Sequence, residues 1–234
     1  MKIKLLLAAF VVAAAAGCSS PNHTGPTSLP ALVPSADKSG TDQQVAQATV
    51  LSQQDMGPDY QATPFSPDAQ DAADNAAFEA CLGRPSTAMH ETARAYSPKF
   101  TEDFQVILGN IAFVDSNETA QGDIAALRDT PRAASCLQNL LTTQLSRSGG
   151  SAQVEVSQPS PPPGGPDVEV IAYRLRILAE AGGERTPLVV DVVSALKGRA
   201  EMSVSFQDVN QPVPADILDR AVRAMLDRLP TGGR

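Results

Sequence analysis

Three long runs joined by glycines in the C-terminal third do most to limit what this chain can fold into. Ile171, Tyr173, Leu175 and Ile177 alternate with Ala172, Arg174 and Arg176. Gly182-Gly183 then leads into an apolar run over residues 188–196. Gly198 leads into Ala200, Met202, Val204 and Phe206, interleaved with Glu201, Ser203, Ser205 and Gln207. A period of two places alternate side chains on opposite faces of a strand, and short glycine turns join neighbouring strands antiparallel. The expectation is an antiparallel meander, apolar on one face. An earlier strand begins at Val154 and Val156 and is cut off by the proline- and glycine-rich residues 159–166. After Pro212 and Pro214, the residues Ile217, Leu218, Ala221, Val222, Met225 and Leu229 recur at helical spacing, giving an amphipathic helix suited to covering that face.

The middle of the chain reads as helices around one further strand. Ser66-Pro67 is a helix start followed by the stripe Ala77, Phe78, Cys81 and Leu82, with Gly83 as its stop. Residues 85–97 are ambiguous, Met89, Ala93 and Tyr96 being spaced for a short helical turn. Residues 104–114 suit a strand, with Gly109-Asn110 marking a bulge or kink. Ser116 and Thr130-Pro131 open two more helices, the second carrying Cys136, Leu137, Leu140, Leu141 and Leu145 and ending at Gly149-Gly150. Residues 45–60 form a lead-in segment that packs on the body. The fold class is therefore α+β: one antiparallel sheet covered by helices, including the C-terminal one, in a single domain over residues 45–230.

The N-terminus carries an address. Lys2 and Lys4 precede 12 apolar residues at 5–16. That run falls short of the roughly 20 residues of a spanning helix and matches a secretory signal peptide. Ala15-Ala16-Gly17-Cys18 resembles the bacterial lipobox, in which the cysteine becomes the first mature residue and carries lipid. Residues 1–17 are thus expected to be the signal, Cys18 the membrane anchor, and residues 18–44 a flexible linker rich in Ser, Pro, Gly and Thr. The expected location is the extracytoplasmic face of a bacterial cell membrane. The chain has 18 basic and 26 acidic residues. Such an acidic balance argues against nucleic acid as a partner and leaves the lipid as the membrane contact.

Few residues could carry chemistry. With Cys18 lipidated, Cys81 and Cys136 remain, and an exported protein pairs such a remainder in a disulfide. Two buried thiols and a reactive nucleophile are the alternatives. Of the two histidines, only His90 lies in the domain, so neither a multi-histidine metal centre nor HExxH chemistry is available. Ser194-Ala195-Leu196-Lys197 fits S-x-x-K but lacks the companion motifs of the penicillin-interacting enzymes, and Ser35 to Lys38 fits it equally well. Arg174 and Arg176 share one strand face, near Glu169 and Asp191, where a solvated outer face competes with an anion groove. No cofactor or metal is expected.

The order of features, with "FEACLG", "SNETAQGDIAALRD", "PRAASCLQNLL" and "GRAEMSVSF…PADILDRAVRAMLDRL", resembles actinobacterial cell-envelope lipoproteins. It is also distantly similar to the extracellular sensor domains of mycobacterial receptor serine/threonine kinases. The resemblance implies no catalytic residues, only a cleft that receives a ligand. The expected function is a non-catalytic ligand-binding or sensor-like module. A structural or accessory lipoprotein serving a protein partner is the second reading and a hydrolase the third. The expected groove lies between sheet and helices, lined by Phe104, Ile171, Tyr173, Leu175, Val204, Phe206 and Met225, and takes an apolar or peptide envelope ligand. A filled core is the competing reading of these seven. The oligomeric state is not legible.

Overall fold

The computed structural model describes residues 36–84, 90–147 and 149–229. Cys18, the signal peptide and Met89 lie outside them. Among the described residues, eight strands form one antiparallel sheet: β1 (Gln61–Thr63), β2 (Glu91–Tyr96), β3 (Lys99–Glu102), β4 (Gln105–Val114), β5 (Ser151–Ser157), β6 (Glu169–Ala181), β7 (Glu184–Lys197) and β8 (Ala200–Val209). The order is β1-β3-β4-β8-β7-β6-β5, with β2 beside β3 on the same side of β4. The C-terminal meander forms as its pattern requires. Gly182 and Gly183 (φ 62° and 83°) turn β6 into β7, and Gly198 (φ 60°) turns β7 into β8; these left-handed angles suit tight hairpin loops.

The register corrects the expectation of a single apolar face. Tyr173 stands opposite Val192 and Val192 opposite Ser205, while Val193 meets Val204. The apolar residues of β6 and those of β8 therefore lie on opposite faces. β7 is the pivot: Val189, Val190, Val192, Val193, Ala195 and Leu196 are all buried. A continuous apolar run is what a strand covered on both faces needs.

Two helix layers do the covering. The helices α1 (Ala36–Thr49), α2 (Gln53–Met56) and α6 (Ala215–Leu226) share a core with Ile107, Ile111, Met202, Val204 and Phe206. On the other face, α3 (Ala69–Leu82), α4 (Asn117–Arg128) and α5 (Thr130–Arg147) enclose Ile171, Tyr173, Leu175 and Ile177. Cys81 of α3 and Cys136 of α5 are joined, with S–S 2.00 Å and Cα–Cα 5.7 Å. The disulfide ties two helices of one layer together.

Local sequence signals set some element boundaries and are overridden at others. Ser116 caps α4, its Oγ accepting from the Thr119 N–H at 3.1 Å. Helix α3, expected to open at Ser66-Pro67, is capped by Asp68 instead: Asp68 accepts from the N–H groups of Gln70 and Asp71, and the Asp71 carboxylate accepts in turn from the Asp68 N–H. Such a reciprocal box outranks a lone serine before proline. Residues 91–96 form β2, not a helical turn, because Ala93 and Ala95 alternate into the core. Gly109 sits in regular pairing with Val204. A Cβ there would lie 3.1 Å from Met225 Sδ and 3.3 Å from Leu51 Cδ1, so the glycine admits the helix layer and does not bend the strand. The irregularity in pairing falls in β2, between Glu91 and Ala93.

The expected linker over residues 18–44 is also shortened, since α1 begins at Ala36. Asp42 accepts from Thr92 Oγ1 at 2.7 Å and pairs with Arg199 at 3.1 Å. The Gln43 side chain donates to Arg94 O at 2.9 Å and accepts from Arg94 N at 3.3 Å. Polar side chains anchored this way to a sheet edge leave no apolar stripe to read.

Candidate functional site

The seven residues expected to line a groove do not meet. Ile171, Tyr173 and Leu175 are buried under α3–α5. Val204, Phe206 and Met225 are fully buried on the α6 face. Phe104 sits at the β3–β4 turn, 61% exposed. The sheet itself separates the two groups, and each is packed shut. The filled-core reading of the six buried residues holds, and the reason is the β7 register.

A cleft does exist, at the end of the sheet where the β7–β8 turn, the residues after α6 and the loop before β6 converge. It encloses about 460 Å³ and is lined by Phe113, Val168, Ala200, Leu226 and Leu229, with Lys197, Arg199, Asp167 and Asp227 around the apolar floor. Its size falls within the range of small-molecule sites. Each wall has a local cause. Gly164 lies so close to β6 that a Cβ would stand 2.7 Å from Val170 Cγ2, and Gly165 and Asp167 take left-handed angles of 78° and 62°, so only this Gly-Pro sequence brings the loop down as a wall. Arg199 is fixed over the Phe113 ring, 6.0 Å from its centroid, and donates to Val114 O at 2.7 Å. Lys197 Nζ donates to Leu229 O at 3.1 Å, holding the chain after α6 against the turn. Two cations and two carboxylates balance at the rim, leaving the apolar floor as the dominant recognition surface.

A second cavity, about 60 Å³, lies under α3 and α4 at the polar end of the sheet, among Glu79, Arg84, Arg94, Asn110, Asp123, Glu201 and Ser203. It has room for only a few waters. Arg84 and Asp123 pair at 2.5 Å with side chains only 8% exposed. Arg94 binds Glu91 and Asn110 Oδ1. Burial, with the Asp123 carboxylate beside it, pushes Glu201 up to about 8, so it carries a proton at neutral pH. Glu201 and Ser203 were expected on an outer polar face. The helices instead close over them, and the signal for this was Arg84 immediately after the helix stop, with Asp123 amid the apolar residues of α4.

The remaining candidates are dispersed. Ser194 and Lys197 are three residues apart on β7 and so project to opposite faces, which rules out cooperation between them. His90 Nδ1 pairs with Asp115 Oδ2 at 2.9 Å, and that hydrogen bond holds Asp115 below the usual carboxylate range. Arg174 binds buried Asp191 at 2.7 Å, so its charge is committed. Among the described residues no group of three or more His, Cys, Asp or Glu is set to hold a metal, and no helix is long and apolar enough to cross a membrane. No family model matches the chain, and no curated protein does.

Proposed function

We propose that this protein is a lipid-anchored module on the extracytoplasmic face of the cell membrane that binds an apolar or amphipathic envelope ligand without catalysing a reaction. One observation carries the reading: the roughly 460 Å³ cleft at the sheet end, whose floor is apolar and whose two cations are already engaged, Lys197 by Leu229 O and Arg199 by Asp42. Pockets of this composition bind by burial and orient the ligand by a few polar groups. The lipobox-like Cys18 and the likeness to receptor-kinase sensor domains supply the setting. Lys197 and Arg199 are held by backbone carbonyls and by Asp42, so they position the walls and leave ligand selection to shape and apolar contact.

The test is native mass spectrometry of the full chain purified from its own envelope. The wild type is expected to retain a small-molecule adduct that Val168→Trp, which fills the cleft from its half-buried wall, loses while keeping the wild-type circular dichroism spectrum. A bare mass in the wild type, or an adduct kept by Val168→Trp, would overturn the assignment.

A further inference from the structure

We propose that β5 is a homotypic pairing edge, through which two copies of this chain join their sheets antiparallel about Val154. The two edges of the sheet are treated differently. At one end, β1 has only three residues, and the Gln43 amide closes both backbone groups of Arg94 in β2. Short strands and side-chain covers are ordinary protection for an edge. At the other end, β5 pairs with β6 along all seven of its residues. Among the described residues, no backbone bond leaves its outer side. It contains no proline and a single charge, Glu155.

The strand's sequence fits itself. A two-fold axis at Val154 sets Ser151 opposite Ser157, Ala152 opposite Val156 and Gln153 opposite Glu155, each twice. The Gln153 amide can donate to the Glu155 carboxylate of the second copy, and no like charges face each other. Ala152, Val154 and Val156 are only partly buried against α5; their counterparts in the second copy complete that burial. The charges of β6 beside the edge are of both signs, Arg174, Arg176 and Glu180, and the chain leading into β5 adds little. From Ala133 to Val154 the only charged residue is Arg147, and it is committed to Asp74 at 2.7 Å. The exposed residues of α5 include Ser135, Gln138, Asn139 and Thr142, all uncharged. In a chain of net charge −8, a neutral surface is where two copies meet with least repulsion. Paired strands supply main-chain hydrogen bonds and alternate side-chain contacts.

The test is sedimentation equilibrium of the full chain in density-matched detergent. The expected result is a reversible dimer. Gln153→Lys should tighten it about fivefold by facing Glu155 twice, and Gln153→Glu should weaken it about fivefold, as cross-strand charge pairs do. Both changes are on an exposed position and leave the monomer intact. Amide exchange of residues 151–157 should slow as concentration rises. A monomer at roughly 100 µM in both wild type and Gln153→Lys would overturn the proposal. So would a dimer indifferent to both charges, or concentration-independent protection of residues 151–157 in a monomer, which would assign the edge to the chain's own remaining residues. Capture of an extended peptide by a monomeric chain would overturn it in favour of a peptide-docking edge.

Discussion

Replacing Glu201 with glutamine should make the protein more stable and flatten its pH dependence. Burial, with Asp123 beside it, raises the Glu201 carboxyl from an ordinary 4.5 to about 8. The folded state therefore keeps a proton that the unfolded chain releases above pH 4.5. Whenever the native state binds more protons, stability falls as pH rises. The contribution is neutral below pH 4.5 and becomes steadily more unfavourable between pH 4.5 and 8, after which it is constant. Holding the proton at pH 7 costs about 3 kcal/mol, at 1.36 kcal/mol for each pH step. Glutamine keeps the shape and an N–H donor for Asp123 but has no proton to hold. Glu201→Gln should therefore gain about 2–3 kcal/mol at pH 7 and nothing at pH 4.5. Urea denaturation followed by far-ultraviolet circular dichroism at pH 4.5, 6, 7 and 8.5 reads both values, a choice suited to a chain without tryptophan. Equal or lower stability of the variant at pH 7, with the wild-type slope retained, would refute the reasoning and show that Arg84 and Arg94 hold the carboxylate ionised.

Other outcomes follow from the geometry. Cys18→Ala should leave the protein unprocessed or release it from the membrane fraction, read by blotting of separated fractions. Cys81→Ala with Cys136→Ala should cost about 4 kcal/mol, the chain-entropy value for a 55-residue separation, measured as a shift in the urea midpoint. Gly109→Val should cost about 2 kcal/mol through crowding of Met225 and Leu51. Met225→Ala in the same chain should recover part of that loss, because the two sites touch.

The meander was legible because its cause is local: alternation and glycine turns mark β6, β7 and β8 wherever they fold. Which face each strand presents was harder to read. Ile171 and Val204 both look like inward residues, and only the pairing of Ile171 with Ser194 and of Val204 with the neighbouring Val193 shows that they look in opposite directions. The clue was present in β7, where apolar residues occupy both parities. The Cys81–Cys136 pairing was legible because the chain has three cysteines and the expectation that Cys18 is an anchor sets one aside. The cleft was not, since it is made by a loop, a turn and a helix end that meet only in three dimensions. Nor was the covered polar cluster, because Glu201 and Ser203 have the pattern of a solvated face and the sequence does not say what lies above it. Helix α1 escaped detection for the same reason: its bonds to Thr92, Arg94 and Arg199 are polar and distant in sequence.

The seating of α1 also has a mechanical meaning. A pull delivered at Ala36 enters the folded body along this helix. The first joints to bear the load are side-chain bonds, Asp42 to Arg199 and Thr92 and Gln43 to the Arg94 backbone. The sheet's own ladder stands behind them, still intact. Lifting α1 would break these joints and also pull Ala46 and Val45 out of the core they share with the sheet. The strand β2, until then covered, then becomes an open edge, while the cleft wall loses the Asp42 brace on Arg199. A helix mounted in this way ties the start of the folded body to the rim of the cleft through a single side-chain pair, Asp42 with Arg199.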